Sequence, residues 1–236
     1  MDSSRGCEVY ELAWEMTKRH ASQPVDKLSG LLYLLRTTKL PCYDQKMTSE
    51  DFWRQSFHLL PAGQKIEILF NFPYRGSDQQ WFPTWAQMLD WPERNSEYNH
   101  SRPNVSPDLI KNIPGETSFI INLYTIPNAV LKEGDNPDEY QVEIGKRVFG
   151  FHLPYLLQKP INIQGQPEFT LAIADLGDAH HNWVVCRPIS NQVGADVGGI
   201  GVAEVNVLEK VGIIRTDFCS DLLVSGLLQK MDCLFV

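Results

Sequence analysis

The run TSFIINLYTI, residues 117–126, is where the chain changes character. It is rich in β-branched and aromatic residues, and it opens a series: EYQVEI (139–144), RVFGFHL (147–153), EFTLAIAD (168–175), NWVVCRP (182–188) and VAEVNVLEKV (202–211). Each run has the length and composition of a strand, and turn formers such as KEGDNP (132–137) and QGQP (164–167) separate them. This half therefore reads as about six mainly antiparallel strands, in a small sandwich or an open barrel.

Upstream, the period is that of a helix. Val9, Leu12, Ala13 and Met16 recur at helical spacing, so a helix over about 7–20 buries one stripe. Pro24 suits the first turn of a second helix, whose apolar face is Val25, Leu28, Leu31, Leu32 and Leu35 and which ends before Leu40-Pro41. A third begins at Thr48, which caps the amide of Asp51 while Asp51 reaches back and Met47 packs on Phe52. Pro61-Ala62-Gly63 leads into KIEILFNF (65–72), whose apolar residues suit a strand or a helix equally. Residues 73–114 are rich in Pro, Gly, Asn, Ser and aromatics, and read as a long surface connection with one short helix over about 84–89.

The fold class that follows is α+β. A helical region spans 1–95, a connection 96–115, and a β-rich region 116–236 that ends in a tail of undecided structure, DFCSDLLVSGLLQKMDCLFV (217–236). One integrated domain is equally compatible with this order. At 236 residues and 43% hydrophobic content the chain is long enough to bury a core. Its net charge of -8 repels phosphate backbones and anionic lipid, which argues against nucleic acid as a partner. No window approaches the roughly 18 apolar residues that span a bilayer, and the N-terminus lacks a basic-then-apolar leader, so the expected location is the cytoplasm. Cys7, Cys42, Cys186, Cys219 and Cys233 are odd in number with no C-x-x-C pair, the pattern of reduced thiols rather than of a disulfide framework or zinc knuckle.

The chemically richest stretch is DAHHNWVVCRP, residues 178–188. Were it a strand, His180 and His181 would point to opposite faces, and His180 would lie about 20 Å from Cys186, so the run is not a self-contained metal site. Asp178 and His180 share a face and form the candidate catalytic pair, with a nucleophile supplied from elsewhere, Cys42 or Cys219. The structural alternative is a polar entrance to a strand that packs Trp183 and Val185 on one face and Val184 and Cys186 on the other. Trp81, Trp85 and Trp91 are candidate ligand-binding residues, able to line or gate a pocket in the β-rich half. Glu50 and Asp51 read as charges at a helix N-terminus. The glycine-rich QVGADVGGIG (192–201) lacks the Lys-Ser/Thr of a phosphate loop and reads as a hairpin or loop. No metal or cofactor is implied.

Several stretches taken together resemble a known family. ASQPVDKLSGLLYLLRTTKLPCYDQ, SEDFWRQSF and EILFNFPYRGSDQQWFPTWAQML, with the later WVVCRPIS and GVAEVNVLEKV, are similar to the region downstream of the heterokaryon-incompatibility domain in proteins of mushroom-forming fungi. Pro24-Val25-Asp26-Lys27-Leu28 is similar to an Asp-Pro-Arg-Asp-Lys-hydrophobic element of that family, with Gln23 and Val25 replacing its first Asp and its Arg. The resemblance covers about 20–210 and carries over no catalytic residue; the signature motifs of the incompatibility domain proper are not in the chain. It implies a non-enzymatic recognition or regulatory module of a non-self recognition protein, with another protein as partner. The rival expectation is a small-molecule binder or enzyme using a pocket in the β-rich half.

Overall fold

Helices come first and strands second. The computed structural model describes residues 9–37, 39–42, 44, 46–72, 81–94, 110–112, 119–136, 139–152, 168–174, 181–193, 196–197, 200–201, 204–216 and 226–235. The helices are α1 (Val9–Lys18), α2 (Pro24–Leu34), α3 (Ser49–Phe57), α4 (Ala62–Asn71) and α5 (Trp85–Arg94). After them come β1 (Ile110–Asn112), β2 (Phe119–Glu133), β3 (Glu139–Ile144), β4 (Arg147–His152), β5 (Phe169–Ile173), β6 (His181–Val193), β7 (Asp196–Val197), β8 (Ile200–Gly201), β9 (Glu204–Thr216) and β10 (Gln229–Phe235).

The helix starts follow local chemistry. Pro24 stands in the first turn of α2, which buries Val25, Leu28, Leu31 and Leu32. Thr48 caps α3 by accepting from the Asp51 amide at 3.1 Å, and its hydroxyl donates to the Asp51 carboxylate at 2.6 Å. Asp51 thus returns to the cap's hydroxyl rather than to its backbone amide. Thr84 and Gln87 form a reciprocal box at the start of α5: the Gln87 amide donates to Thr84 Oγ1 at 3.2 Å and the Thr84 amide to Gln87 Oε1 at 2.8 Å.

The undecided segment 65–72 is helical as far as Asn71, with Phe72 its C-cap. Within α4 every residue from Lys65 to Asn71 is buried, polar Lys65, Glu67 and Asn71 included, so polarity does not mark a solvent face there. The expected surface connection is in part core. Trp81 and Phe82 are 1% and 0% exposed. Phe82 stacks on Phe57 at 3.8 Å, and Trp81 stands edge-on to both Phe57 and Phe119, tying α3 to β2. Large apolar side chains override the turn-forming composition around them.

The β-rich half is a sheet in the order β1-β2-β3-β4-β9-β6-β5, in which β5 also pairs β2. That pairing closes the sheet into a ring, where the sequence left sandwich and open barrel as alternatives. Its neighbours are antiparallel except β10, which lies antiparallel to β2 and parallel to β9. The tail of undecided structure thus contributes a strand to the main sheet. Within the glycine-rich stretch β7 pairs antiparallel with β8.

Alternation sorts the side chains into two clusters. Ile126, Leu131, Tyr140, Phe151, Leu171, Trp183, Val185 and Ile214 fill the ring. Phe119, Ile121, Ala172, Val184, Cys186, Leu208 and Phe235 face outward into a second cluster shared with all five helices. Trp183 and Val185 therefore part from Val184 and Cys186 as the pleat requires. The helical layer covers one outer face of the ring.

Candidate functional site

The residues nominated from sequence fall in three places. Asp178 and His180 lie outside the described residues, as does the side chain of His181. Trp81 and Trp85 are buried; Trp53 packs on Trp85 at 5.7 Å between centroids and donates through Nε1 to Pro83 O at 2.9 Å. These indoles fasten the helical layer together. Trp91 is in α5, with its side chain outside the described set. Glu50 stands in the first turn of α3 and also accepts from the Trp85 amide at 2.7 Å, so its charge serves the N-terminus of α5 as well as that of its own helix, and burial raises its carboxyl.

A buried polar constellation went unnoticed in the sequence. Lys210 of β9 is 0% exposed, and its Nζ donates to Leu69 O at 2.7 Å and to Phe72 O. These are carbonyls of the last turn of α4, where a donor completes the orphaned end of the helix. Burial lowers the amine to about 7, against a smaller upward pull from Cys186. A neutral amine still has two N–H groups for the two carbonyls.

Cys186 pairs with Lys210 across β6 and β9, and burial holds its thiol well above the ordinary range; the same cause sends Cys233 to about 12. Such thiols are poor nucleophiles. Glu67 is likewise buried and accepts from the Val9 amide at 2.6 Å, at the start of α1. These groups lock helices to one another and to the sheet. Among the described residues no group of three His, Cys, Asp or Glu is placed to hold a metal ion.

The ring carries a cleft of about 520 Å³ that none of the described helices lines. It forms where β2 loses register: Ile126 pairs with Leu171 and Ala129 with Phe169, so β2 bulges at Pro127-Asn128. Asn128 has φ +58, Gly145 +62 and Gly226 +66, and all three line this cleft. An added Cβ would meet nothing within 4 Å at either glycine, so glycine is there for its backbone angle rather than for space. Among the described residues the other left-handed position is Arg36, so irregular backbone concentrates at this one place.

Aliphatic groups, among them Val130 and Leu227, share the lining with the carboxylates Glu143 and Glu168 and the amides Asn128 and Gln229. Glu143 pairs with the exposed Lys132. A second cleft, of about 630 Å³, lies between the end of α1 and the start of α2, and its polar lining, from Arg19 to Lys27, is mostly exposed.

The cleft was not visible in the sequence because its walls come from segments about a hundred residues apart. The sole local hint was Pro127-Asn128 inside a strand-like run. No helix among the described residues is long and apolar enough to cross a membrane. Compared with protein-family models, with curated proteins and with solved structures, the chain matches none.

Proposed function

We propose that this chain is a non-enzymatic recognition module, and that the cleft over the β2 bulge is the surface with which it holds another protein. The observation that carries the reading is the cleft itself: a concavity of the ring that none of the described helices lines, shaped by left-handed backbone at Asn128, Gly145 and Gly226 and lined by aliphatic, amide and carboxylate groups. Such groups bind by packing and hydrogen bonding. The core amine and thiols with displaced titration, Lys210, Cys186 and Cys233, lie beneath the helical layer. The resemblance of residues 20–210 to the region downstream of the fungal incompatibility domain supplies the biological class, a cytoplasmic regulator of non-self recognition.

The test uses the full chain as bait in lysate of a mushroom-forming fungus, beside a Val130→Trp variant that fills the cleft from a half-buried, outward position. A partner held by the first chain and lost by the second, with unfolding temperature preserved, supports the reading. Identical captures, or none above background at micromolar sensitivity, refute it. The cleft volume falls in the range of small-molecule sites and so favours a second reading, an organic ligand in the β-rich half. A thermal-shift panel of metabolites addresses it, because a ligand of the native state raises apparent stability.

A further inference from the structure

The cleft lies at a break in a strand edge. β5 and β10 both pair with Tyr124 and Thr125, so they stand on opposite edges of β2. Phe169 of β5 pairs with Ala129, which brings Glu168 alongside Val130 on the β5 edge. Val130 also pairs with Glu143 of β3, so β3 occupies the other edge, in line with β10. On that shared edge the β10 ladder stops at Thr125 and the β3 ladder starts at Val130. Ile126, Pro127, Asn128 and Ala129 therefore have no strand partner there among the described residues. The cleft lining runs from this break to the end of β3 at Glu143 and to the foot of β10 at Gln229.

Of the polar side chains in the described wall, Glu143 is bonded to Lys132 and Glu168 also has a partner. The exposed carboxamides of Asn128 and Gln229 hold no hydrogen bond among the described residues. From the broken edge and these two uncommitted amides we infer that the cleft takes the main chain of an extended segment of the partner polypeptide, with the carboxamides of Asn128 and Gln229 pairing its peptide groups. The inference rests on the recognition reading above and names what is recognised.

A carboxamide presents an N–H donor and a C=O acceptor side by side, the complement of the pair that a peptide group offers. Asn128 stands on the bulge within the break, and Gln229 opens β10 beside it. β3 and β10 both run antiparallel to β2, so a segment laid across the break in their line extends a ladder whose direction is already set. Added strands bind exposed sheet edges in this way, with main-chain hydrogen bonds supplying the affinity. Such a site reads backbone, and side chains of the partner modulate it only through the aliphatic lining.

The probe is acetyl-trialanine-N-methylamide, titrated at millimolar concentration into the isotope-labelled full chain and followed by amide chemical shifts. The control peptide carries lactate in place of each alanine, which keeps the shape and exchanges those N–H donors for ester oxygens. The expected result is saturable shifts confined to residues 126–130, 143–145 and 226–229, with the ester weaker by about tenfold or more, as loss of a hydrogen bond that leaves a carboxamide unpaired requires. The double variant Asn128→Gly/Gln229→Met removes both carboxamides and should weaken the probe by a similar factor. Its unfolding temperature should hold, because glycine accepts the φ of +58 and Met keeps the length of Gln at an exposed position. Absence of localised shifts, an equal response to the ester, or unchanged affinity in the double variant would overturn the inference. A lysate partner lost on Val130→Trp but indifferent to the double variant would also overturn it, while leaving the recognition reading in place.

Discussion

Replacing Lys210 with Met should make the chain's stability depend differently on pH, and the size of the effect follows from burial. The native amine titrates at about 7 against an ordinary 10.5, because the fully buried site disfavours the charged form. Between those values the unfolded chain binds a proton that the folded chain lacks, so unfolding free energy rises with pH through this window and levels off beyond it. From pH 7 to 9 the single group contributes about 2 kcal/mol.

Met matches the length of Lys without the charge. It leaves Leu69 O and Phe72 O without their donor, at about 1 to 3 kcal/mol for each orphaned carbonyl, partly offset because no amine is buried. The variant should therefore be less stable by about 2 to 4 kcal/mol at pH 9, and by about 2 kcal/mol less than that at pH 7. Urea unfolding of both chains at the two pH values reads this directly. Lys65, which burial lowers to about 8, acts in the same direction in both chains and cancels in the difference. The thiols, raised from 9.0, oppose it above that pH, so the comparison stops there. Parallel profiles for the two chains would refute a titrating lysine beneath α4.

Trp183→Ala should cost about 3 to 5 kcal/mol in chemical denaturation, since the indole is fully buried inside the ring against Phe151. Asn at His180 or His181 should cost no more than about 1 to 2 kcal/mol, and equal losses would contradict the reading of this stretch as a strand entrance. Thr84→Ala should lower stability by about 1 kcal/mol through loss of the cap of α5, and no change would show that the box is idle. Of the three described free cysteines, exposed Cys42 should react at once with an aromatic disulfide reagent, and Cys186 and Cys233 only on unfolding. Prompt native reaction of the buried pair would mean that the sheet opens there.

Periodicity and caps carried most of the fold into view. Alternation parted Trp183 and Val185 from Val184 and Cys186, and Leu28, Leu31 and Leu32 declared their helix because α2 has one wet side and one dry side. Legibility failed where that contrast vanishes. In α4 all sides are buried from Lys65 to Asn71, polar Lys65, Glu67 and Asn71 included, so polarity there does not report exposure. It failed again where register slips: Val185 pairs with Gly212 but Cys186 with Lys210, leaving Val211 extra. The slip turns Lys210 away from the face of Ile214 and toward α4, reversing what simple alternation would assign. The cleft depends on the same kind of event in β2, and on the closure of β2 onto β5, a pairing between distant segments that no local pattern announces.

The claim that the cleft is the recognition surface is tested most directly by chemical cross-linking of the full chain to the partner it captures, with the linked lysines read by mass spectrometry. Lys132 and Lys146 flank the cleft; Lys18 and Lys27 stand on α1 and α2 in the helical layer. The account predicts cross-links to the partner from Lys132 and Lys146 that disappear in the Val130→Trp variant. Cross-links confined to Lys18 and Lys27 would place the partner on the helices and contradict it.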